Sequence, residues 1–392
     1  VIHLAGTSVA GRWTDEKKHL IRETRVTGTR HLVDAMRRSG RPPRTLIAAS
    51  ASGYYGDRQD EPLVESDGAG DDFLAGVCRA WEAEAEGAAQ LGARVVRLRQ
   101  GIVLGSGGGA LQAMAPIFRW GAGGPLGSGR QWWPWIHIDD LVALFLFALD
   151  RDQVAGAVNA VSPDIATNAR FAHAFGHALR RPALMPAPAL ALRLALGEFS
   201  QSLLSSQLML PAYAQDHGFV WRHESLEQAV LSICGSSGEP VVARREFDAF
   251  ASAPPQRVFD FFSRPENLAS LVPSRMRFKL TTPLPIAMRR GAVIEYGLRV
   301  RGVPIRWKIV ITDFREGHAF TDVQLRGPYE LWRHRHEFEP SSGGVQMRDR
   351  LEFSLPLAPL SNVALPMVKA DVVKIFAYRQ TRIAELLSGD RF

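Results

Sequence analysis

The spacing of apolar and polar residues divides this chain into two halves of different periodicity. In the first half, short apolar runs alternate with longer segments whose apolar residues recur every three or four positions. The predicted strands are residues 1–6, 45–50, 94–99 and 157–162, and the predicted helices are residues 14–39, 72–91, 139–150 and 167–179. A regular alternation of strand and helix predicts a parallel sheet with helical crossovers.

After residue 240 the period changes to two. Ile294, Tyr296 and Leu298 alternate with other residues, and the same alternation returns at residues 305–311 and 332–338. This pattern predicts antiparallel strands with one covered face. Residues 362–387 predict one long closing helix, and the small polar residues at 235–240 predict the linker between the halves.

Length, charge and cysteine content narrow the class of protein. A chain of 392 residues is expected to form two domains. Residues 241–392 carry 24 Lys+Arg and 16 Asp+Glu, a net +8, which leaves −1 for the rest of the net +7. The basic second half contains no run of Lys and Arg interleaved with aromatic residues, so we expect a solvated basic surface and no nucleic-acid module. Binding of this surface to anionic lipid is the alternative. Two cysteines predict neither a disulfide framework nor a metal quartet, so we expect a reducing, cytoplasmic setting. No apolar run reaches about 18 residues, so we expect no membrane span.

Four segments of the first half together carry a family resemblance. They are HLAG at residues 3–6, SASGYYG at 50–56, GGPLGSGRQ at 123–131 and WIHIDD at 135–140, and a Gly-Phe-x-Trp segment follows at 218–221. In this order they resemble the atypical epimerase-like branch of the extended short-chain dehydrogenase/reductases. The resemblance implies a Rossmann-like domain over residues 1–234 with a small extension at about 185–234. It also implies NADP or NAD as cofactor and an undefined small-molecule substrate.

The resemblance also implies where the site lies. The expected cofactor-binding residues are Leu4, Ala5, Gly6, Ser50, Ala51, Ser52, Arg99, Gly101, Ile102 and Val103. The expected catalytic residues are Ser50, which would donate a hydrogen bond to a substrate oxygen, and Tyr55. Ser50 as a simple turn residue is the alternative. Arg130, Trp135 and His137 are expected on the substrate side, although His137 is also expected as a packed or helix-capping residue before Asp139, itself an expected N-cap.

Two departures from the family pattern change what we expect of this chain. Family members carry a strand and a GxxGxxG turn ahead of the HLAG segment, and the sequence as given shows neither. We therefore expect an α/β Rossmann-like sheet that lacks its first βαβ portion and binds NADP weakly or not at all. The second departure concerns the Tyr-x-x-x-Lys pair of active dehydrogenases, whose two positions fall on Leu74 and Cys78. Arg79 and Tyr55 are left open as substitutes.

The second half carries a weaker resemblance. Its segments are PPQRVFDFF at residues 254–262, PENL at 265–268 and GPYxxWxHxHxF at 327–338. They resemble START/polyketide-cyclase-like (SRPBCC) domains over residues 241–392, which implies an α+β helix-grip fold around an apolar ligand. Trp307, Trp332, Phe338 and Phe376 are the expected lining residues, with plain core packing as the alternative. His334 and His336 share one strand face, but no third ligand is evident, so we expect no metal site.

Three functions remain open from the sequence. The first is an NAD(P)-dependent epimerase or oxidoreductase of undefined substrate, fused to a hydrophobic-ligand domain. The second is a non-enzymatic protein that binds a lipid-like or polyketide-like ligand and keeps a degenerate Rossmann-like scaffold. The third is a module that binds anionic surfaces through its basic second half.

Overall fold

A computed structural model describes residues 1–236, 242–356 and 360–387 of the protein. The chain divides into two compact units, Val1–Pro240 and Val241–Phe392. Most of the predicted linker, residues 237–240, lies outside the described residues, as do residues 388–392 at the end of the second predicted domain.

A four-stranded parallel sheet forms the centre of the first unit. Its order is β1-β2-β4-β7. The strands of this unit are β1 (Ile2–His3), β2 (Thr45–Ala51), β3 (Pro62–Leu63), β4 (Arg94–Gln100), β5 (Ile102–Leu104), β6 (Trp135–His137), β7 (Gly156–Ala160) and β8 (Leu208–Met209). Five consecutive residues of β2, from 46 to 50, are buried, as the uninterrupted apolar run predicts for a strand covered on both faces. Two further parallel pairs, β3 with β8 and β5 with β6, extend the unit.

Helices cross between these strands. They are α1 (Asp15–Arg22), α2 (Gly28–Arg38), α3 (Phe73–Glu86), α4 (Gly109–Arg119), α5 (Ile138–Asp150), α6 (Asn168–Ala178), α7 (Ala189–Leu196), α8 (Phe199–Leu204), α9 (Ala212–Asp216) and α10 (Leu226–Cys234). The single helix predicted for residues 14–39 is interrupted by a π-helical turn at Glu23–Thr27. Its predicted cap is present, since the Thr14 side chain accepts a hydrogen bond from the Lys17 amide.

The second unit is built on a seven-stranded antiparallel sheet of order β10-β11-β12-β13-β14-β15-β9. Its strands are β9 (Ala243–Ala251), β10 (Lys279–Leu280), β11 (Val293–Val300), β12 (Val303–Arg315), β13 (Ala319–Arg326), β14 (Leu331–Ser341) and β15 (Gly344–Ser354). The helices are α11 (Pro255–Phe262), α12 (Leu268–Leu271) and α13 (Leu365–Leu387). The predicted alternation is present, because Ile294, Tyr296 and Leu298 are all buried on one face.

The long helix α13 lies against this covered face. Val372 and Phe376 pack with Leu351 and Phe353 of β15, and Ile383 joins the main core of the unit. The helix begins at Leu365, three residues later than the pattern predicts, because a 3₁₀ turn occupies residues 360–364. Among the described helices of the chain, none is long and apolar enough to cross a bilayer.

Candidate functional site

The segments that the resemblance assigns to the cofactor leave the parallel sheet at one edge. Because β1, β2 and β4 run in the same direction, their carboxyl ends meet there. Leu4, Ala5 and Gly6 follow β1 and are exposed, whereas Ser50 near the end of β2 is buried. Gly101 follows β4, and a Cβ atom at this position would lie 2.7 Å from the Pro134 carbonyl oxygen. Only glycine therefore fits where the chain leaves β4.

Glu82 of α3 is the centre of a buried polar network behind this edge. Its Oε1 accepts hydrogen bonds from Ser50 Oγ at 2.7 Å and from Arg99 Nε at 2.9 Å, and its Oε2 accepts one from Arg99 Nη2 at 3.0 Å. All three side chains are buried. The two parallel bonds from Arg99 are the bidentate geometry that makes such ion pairs strong. The Ser50 hydroxyl hydrogen is thus directed to Glu82, and its oxygen keeps lone pairs that can accept.

Tyr55 extends the same network. Its hydroxyl accepts a hydrogen bond from Arg99 Nη1 at 2.9 Å and donates one to Asn159 Oδ1 at 2.7 Å. Burial raises the pKa of Tyr55 far above its usual value, although Arg99 acts in the opposite direction. The phenol therefore stays protonated near neutral pH, and the catalytic role expected for Tyr55 stays a prediction.

The two positions of the Tyr-x-x-x-Lys pattern lie beside the Ser50 strand. The Leu74 side chain packs against Gly53, where an added Cβ would be 3.2 Å from Leu74 Cβ. Cys78 is buried, and burial raises the pKa of its thiol to about 12, with the Glu82 charge acting in the same direction. Arg79 is exposed on the same helix. Neither Leu74 nor Cys78 offers an acid or base at neutral pH.

Three polar residues near this edge were not selected by the sequence reasoning: Arg25, Glu82 and Asn159. The Arg25 Nη1 atom donates a hydrogen bond to the Thr7 carbonyl oxygen at 3.0 Å, which places a cation beside the end of β1. Burial lowers the pKa of Arg25. Asn159 lies in the strand predicted at residues 157–162. A polar residue inside that apolar run was the one sequence feature that could have indicated its role.

The residues expected on the substrate side lie in different environments. Arg130 is exposed. The Trp135 side chain is only 1% exposed and donates from Nε1 to the Asp164 carbonyl oxygen, so it belongs to the core. His137 Nδ1 accepts a hydrogen bond from the Asp139 amide at 3.1 Å, so His137 caps α5, and the N-cap expected at Asp139 is wrong. Burial, and then the His223 charge, lower the pKa of His137.

The second unit contains a cavity of about 210 Å³ between the sheet and α13. Its lining is mostly apolar and includes three of the four expected residues, Trp307, Trp332 and Phe376. The fourth, Phe338, does not line it. Its ring packs 5.4 Å from the rings of both Phe259 and Phe262, because α11 covers that end of β14.

Four buried polar residues form a polar wall beside this cavity: Asp322, His334, His336 and Asp349. The register places Asp322 of β13 opposite His334 of β14, and Asp349 of β15 opposite His336. Asp349 Oδ1 lies 3.0 Å from His334 Nε2 and 2.7 Å from His336 Nδ1. Asp322 Oδ2 lies 3.7 Å from His334 Nδ1 and 3.2 Å from His336 Nε2. Asp322, His334 and His336 line the cavity. A third side chain that could bind a metal, which the sequence did not reveal, therefore comes from the neighbouring strand β13.

Arg379 of α13 adds a positive charge to this wall. Its Nη2 atom lies 3.6 Å from Asp349 Oδ1 and 3.2 Å from His336 Nδ1. Although burial opposes it, the charge of Arg379 together with the two histidines holds the pKa of Asp349 well below its usual value. Sequence reasoning missed both aspartates. Asp349 occupies a covered-face position of a strand with alternating burial, and Asp322 lies in a run of six buried residues, 319–324; both are unusual places for a carboxylate.

The first unit is similar in sequence to two protein families and to several known proteins. The model of the NAD dependent epimerase/dehydratase family matches residues 1–160, and a domain of unknown function, DUF1731, matches residues 187–233. The chain is 41% identical over 232 residues to the epimerase family protein Mb2239 of Mycobacterium bovis, covering 59% of this chain and 76% of the relative. It is 39% identical over 235 residues to the chloroplastic SDR39U1 homolog of Arabidopsis thaliana, covering 59% of this chain and 67% of the relative.

A solved structure agrees with these matches. The human epimerase family protein SDR39U1 (isoform 2), solved with NADPH, is 33% identical and superposes with a TM-score of 0.56. The superposition covers 60% of this chain and 81% of the human one.

Proposed function

Since the chain belongs to the NAD-dependent epimerase/dehydratase family, we propose that its first unit binds the nicotinamide end of NADP or NAD and acts there on a small-molecule substrate. One observation carries the proposal: residues 4–6 follow β1, residues 50–52 lie at the end of β2 and residues 101–103 follow β4, all at the same carboxyl edge of the parallel sheet. Ligands of doubly wound sheets bind outside this edge. The human relative solved with NADPH favours NADP as the cofactor.

The chemistry proposed for this edge differs from that of a Tyr–Lys dehydrogenase. Leu74 and Cys78 occupy the two positions concerned, so hydride transfer assisted by that pair is not expected. The Ser50 oxygen, whose hydroxyl hydrogen is donated to Glu82, is the group we propose to accept a hydrogen bond from a substrate hydroxyl or from the nicotinamide amide. Because Leu74 and Cys78 supply no acid or base, they also favour a second candidate function, ligand binding without catalysis.

A titration with nicotinamide nucleotides tests the cofactor proposal. Reduced nicotinamide mononucleotide, NADPH and NADH are titrated into the full chain, and binding is followed by the fluorescence of the dihydronicotinamide ring. We expect weak but saturable binding of all three, which Ala5→Trp abolishes by filling the space beyond β1. Ala35→Trp, at an exposed position of α2, is the matched control and is expected to bind normally. If the two variants bind equally well, the site lies elsewhere.

Turnover distinguishes the two candidate functions. Oxidation of NADPH is followed with a panel of ketones and aldehydes in the same chain. Consumption of NADPH that Ser50→Ala slows supports the enzyme, whereas binding without consumption across the panel supports the ligand-binding protein.

For the second unit we propose a START-like helix-grip domain that holds an apolar small molecule. The cavity of about 210 Å³ and its lining by Trp307, Trp332 and Phe376 support this proposal. An engineered apolar cavity of about 150 Å³ stays dry and binds benzene, so the space here suits a compact guest of one or two rings better than a long acyl chain.

Isothermal titration with naphthalene tests this second proposal. We expect saturable binding to the full chain and its loss in Leu298→Trp, which adds an indole to the cavity wall. Leu284→Trp makes the same change at a residue that is 57% exposed and is expected to bind like the unmodified chain. Equal binding by both variants would exclude the cavity as the site.

A further inference from the structure

The polar wall of the second-unit cavity brings together three side chains that bind metals. We propose that Asp322, His334 and His336 bind a divalent transition-metal ion of the zinc type. The proposal concerns a site that neither candidate function requires, and it stands whether or not the first unit binds a nucleotide or the cavity holds an apolar guest.

The distances between the donor atoms fit a metal ion. In a tetrahedral zinc site, bonds of about 2.0 to 2.2 Å place neighbouring ligand atoms roughly 3.4 Å apart. Asp322 Oδ2 lies 3.2 Å from His336 Nε2 and 3.7 Å from His334 Nδ1. All three donor atoms lie within 4.8 Å of one another. The fourth position of the site faces the cavity, where a water or a ligand oxygen would complete the coordination.

Asp349 supports these ligands from the other side. Its Oδ1 is at hydrogen-bonding distance from His334 Nε2 and His336 Nδ1, the two nitrogens that do not face Asp322. Arg379 Nη2 also approaches His336 Nδ1, but at 3.2 Å it is farther away than the carboxylate oxygen at 2.7 Å. We therefore assign the ring hydrogens to the Asp349 side, which leaves the lone pairs of both rings directed towards Asp322. A carboxylate that accepts the second N–H of a ligating histidine is the usual arrangement around bound metals.

The charges of the wall also favour a bound cation. With both imidazoles neutral, Asp322 and Asp349 contribute −2 and Arg379 contributes +1, so the buried group has a net charge of −1. An uncompensated charge in an apolar cavity is costly. A divalent ion raises the sum to +1, and an anionic fourth ligand such as hydroxide or a ligand carboxylate brings it to zero. One extra proton on an imidazole would also neutralise the wall, so the experiment must separate a metal ion from a proton.

A second group of the same composition in the first unit, His137, Asp139 and His223, provides the control. There His137 Nδ1 already accepts the Asp139 amide hydrogen, and the Asp139 side chain is 59% exposed. The lone pair of His137 Nδ1 therefore already accepts a backbone hydrogen bond, and we expect these three residues to bind no metal tightly.

The test uses the full chain without a polyhistidine tag, after a chelator has removed bound metal. Zn²⁺ alone is titrated by calorimetry, and Co²⁺ alone is titrated in a separate sample by visible absorption. We expect one Zn²⁺ per chain and the intense absorption of tetrahedral cobalt. Both signals should be lost in Asp322→Asn and in His336→Gln and unchanged in His223→Gln. Asp349→Asn should weaken binding by about 10- to 100-fold, as removal of a supporting carboxylate does.

Arg379→Gln gives a result of opposite sign, because removing a neighbouring cation should tighten zinc binding. This variant also answers the objection that ligand variants lose the metal by misfolding. The proposal is overturned if the unmodified chain binds no Zn²⁺, since the wall is then neutralised by a proton. It is also overturned if binding persists in both ligand variants or is lost in His223→Gln.

Discussion

At the scale of single residues, the feature that organises the first unit is the buried ion pair between Glu82 and Arg99. The two side chains are joined by two hydrogen bonds, and Ser50 and Tyr55 complete the network on either side. Because a buried pair is costly to desolvate, its value lies less in net stability than in fixing the geometry of its neighbours. Ser50 and Tyr55, the two residues expected to be catalytic, are thereby held in place by Glu82, which the sequence did not indicate, and by Arg99, which was expected to bind the cofactor.

Arg99→Met tests the energetic role of this pair. The variant leaves the Glu82 carboxylate buried without its bidentate partner, so we expect a loss of roughly 3–5 kcal/mol in the stability of the first unit. Native-state hydrogen exchange of the β4 amides measures the loss within this unit alone. Arg30→Met, which breaks the exposed pair with Glu84, is the matched control and is expected to change exchange far less. Equal effects of the two variants would contradict the buried role.

The two cysteines should differ in reactivity. Burial raises the pKa of Cys78 to about 12 and also raises that of Cys234, which is only partly buried. The thiolate is the reactive form, so at mildly alkaline pH a disulfide reagent should label Cys234 quickly and Cys78 only when the fold opens. The expected result is one fast equivalent in the native chain and none in Cys234→Ser. A fast equivalent that remains in Cys234→Ser would show that Cys78 is accessible.

At the scale of elements, helix α5 begins with a titratable cap. His137 Nδ1 can accept the Asp139 amide hydrogen only while it is unprotonated. The folded pKa of His137 lies below the unfolded value of about 6.5, so the folded chain favours the neutral ring. The resulting stability is present above about pH 6.5 and is lost as the pH falls through the lowered folded pKa.

His137→Asn tests this pH dependence, because asparagine caps a helix without titrating. Scanning calorimetry of the full chain between about pH 7.5 and about pH 5 should show the first unit melting at a lower temperature as the pH falls. The decrease should be smaller in His137→Asn. His31→Asn, at an exposed position of α2, should leave it unchanged. An identical decrease in all three chains would remove His137 as its cause.

At the scale of the whole molecule, each unit has its own core. In the second unit, the residues of the main core come mainly from the antiparallel sheet, α11 and α13, and all of them lie within Val241–Phe392. We therefore predict that residues 241–392 fold when produced alone. Near-ultraviolet circular dichroism should show the fixed aromatic environment of Trp307 and Trp332, and heating should give a cooperative transition. A spectrum without aromatic bands would show that this unit needs the first one.

The linear sequence determined the elements of both units. Uninterrupted apolar runs such as β2 and period-two runs such as β11 fix the strand type, because burial on both faces and on one face leave different patterns. The segments at residues 3–6, 50–56, 123–131 and 135–140 were enough to indicate the family. These features depend on neighbours along the chain, and so they can be read from it.

The tertiary structure decided which side chains meet. Glu82 reaches Arg99 and Ser50 only because α3 packs on β2 and β4, and Asp322 reaches His334 and His336 only through the register of β13 and β14. Phe338 shares a strand face with Trp332 but lies under α11, outside the cavity. Strand register and helix packing join residues far apart in the chain, and the local periodicity that predicts a strand contains no information about its partner.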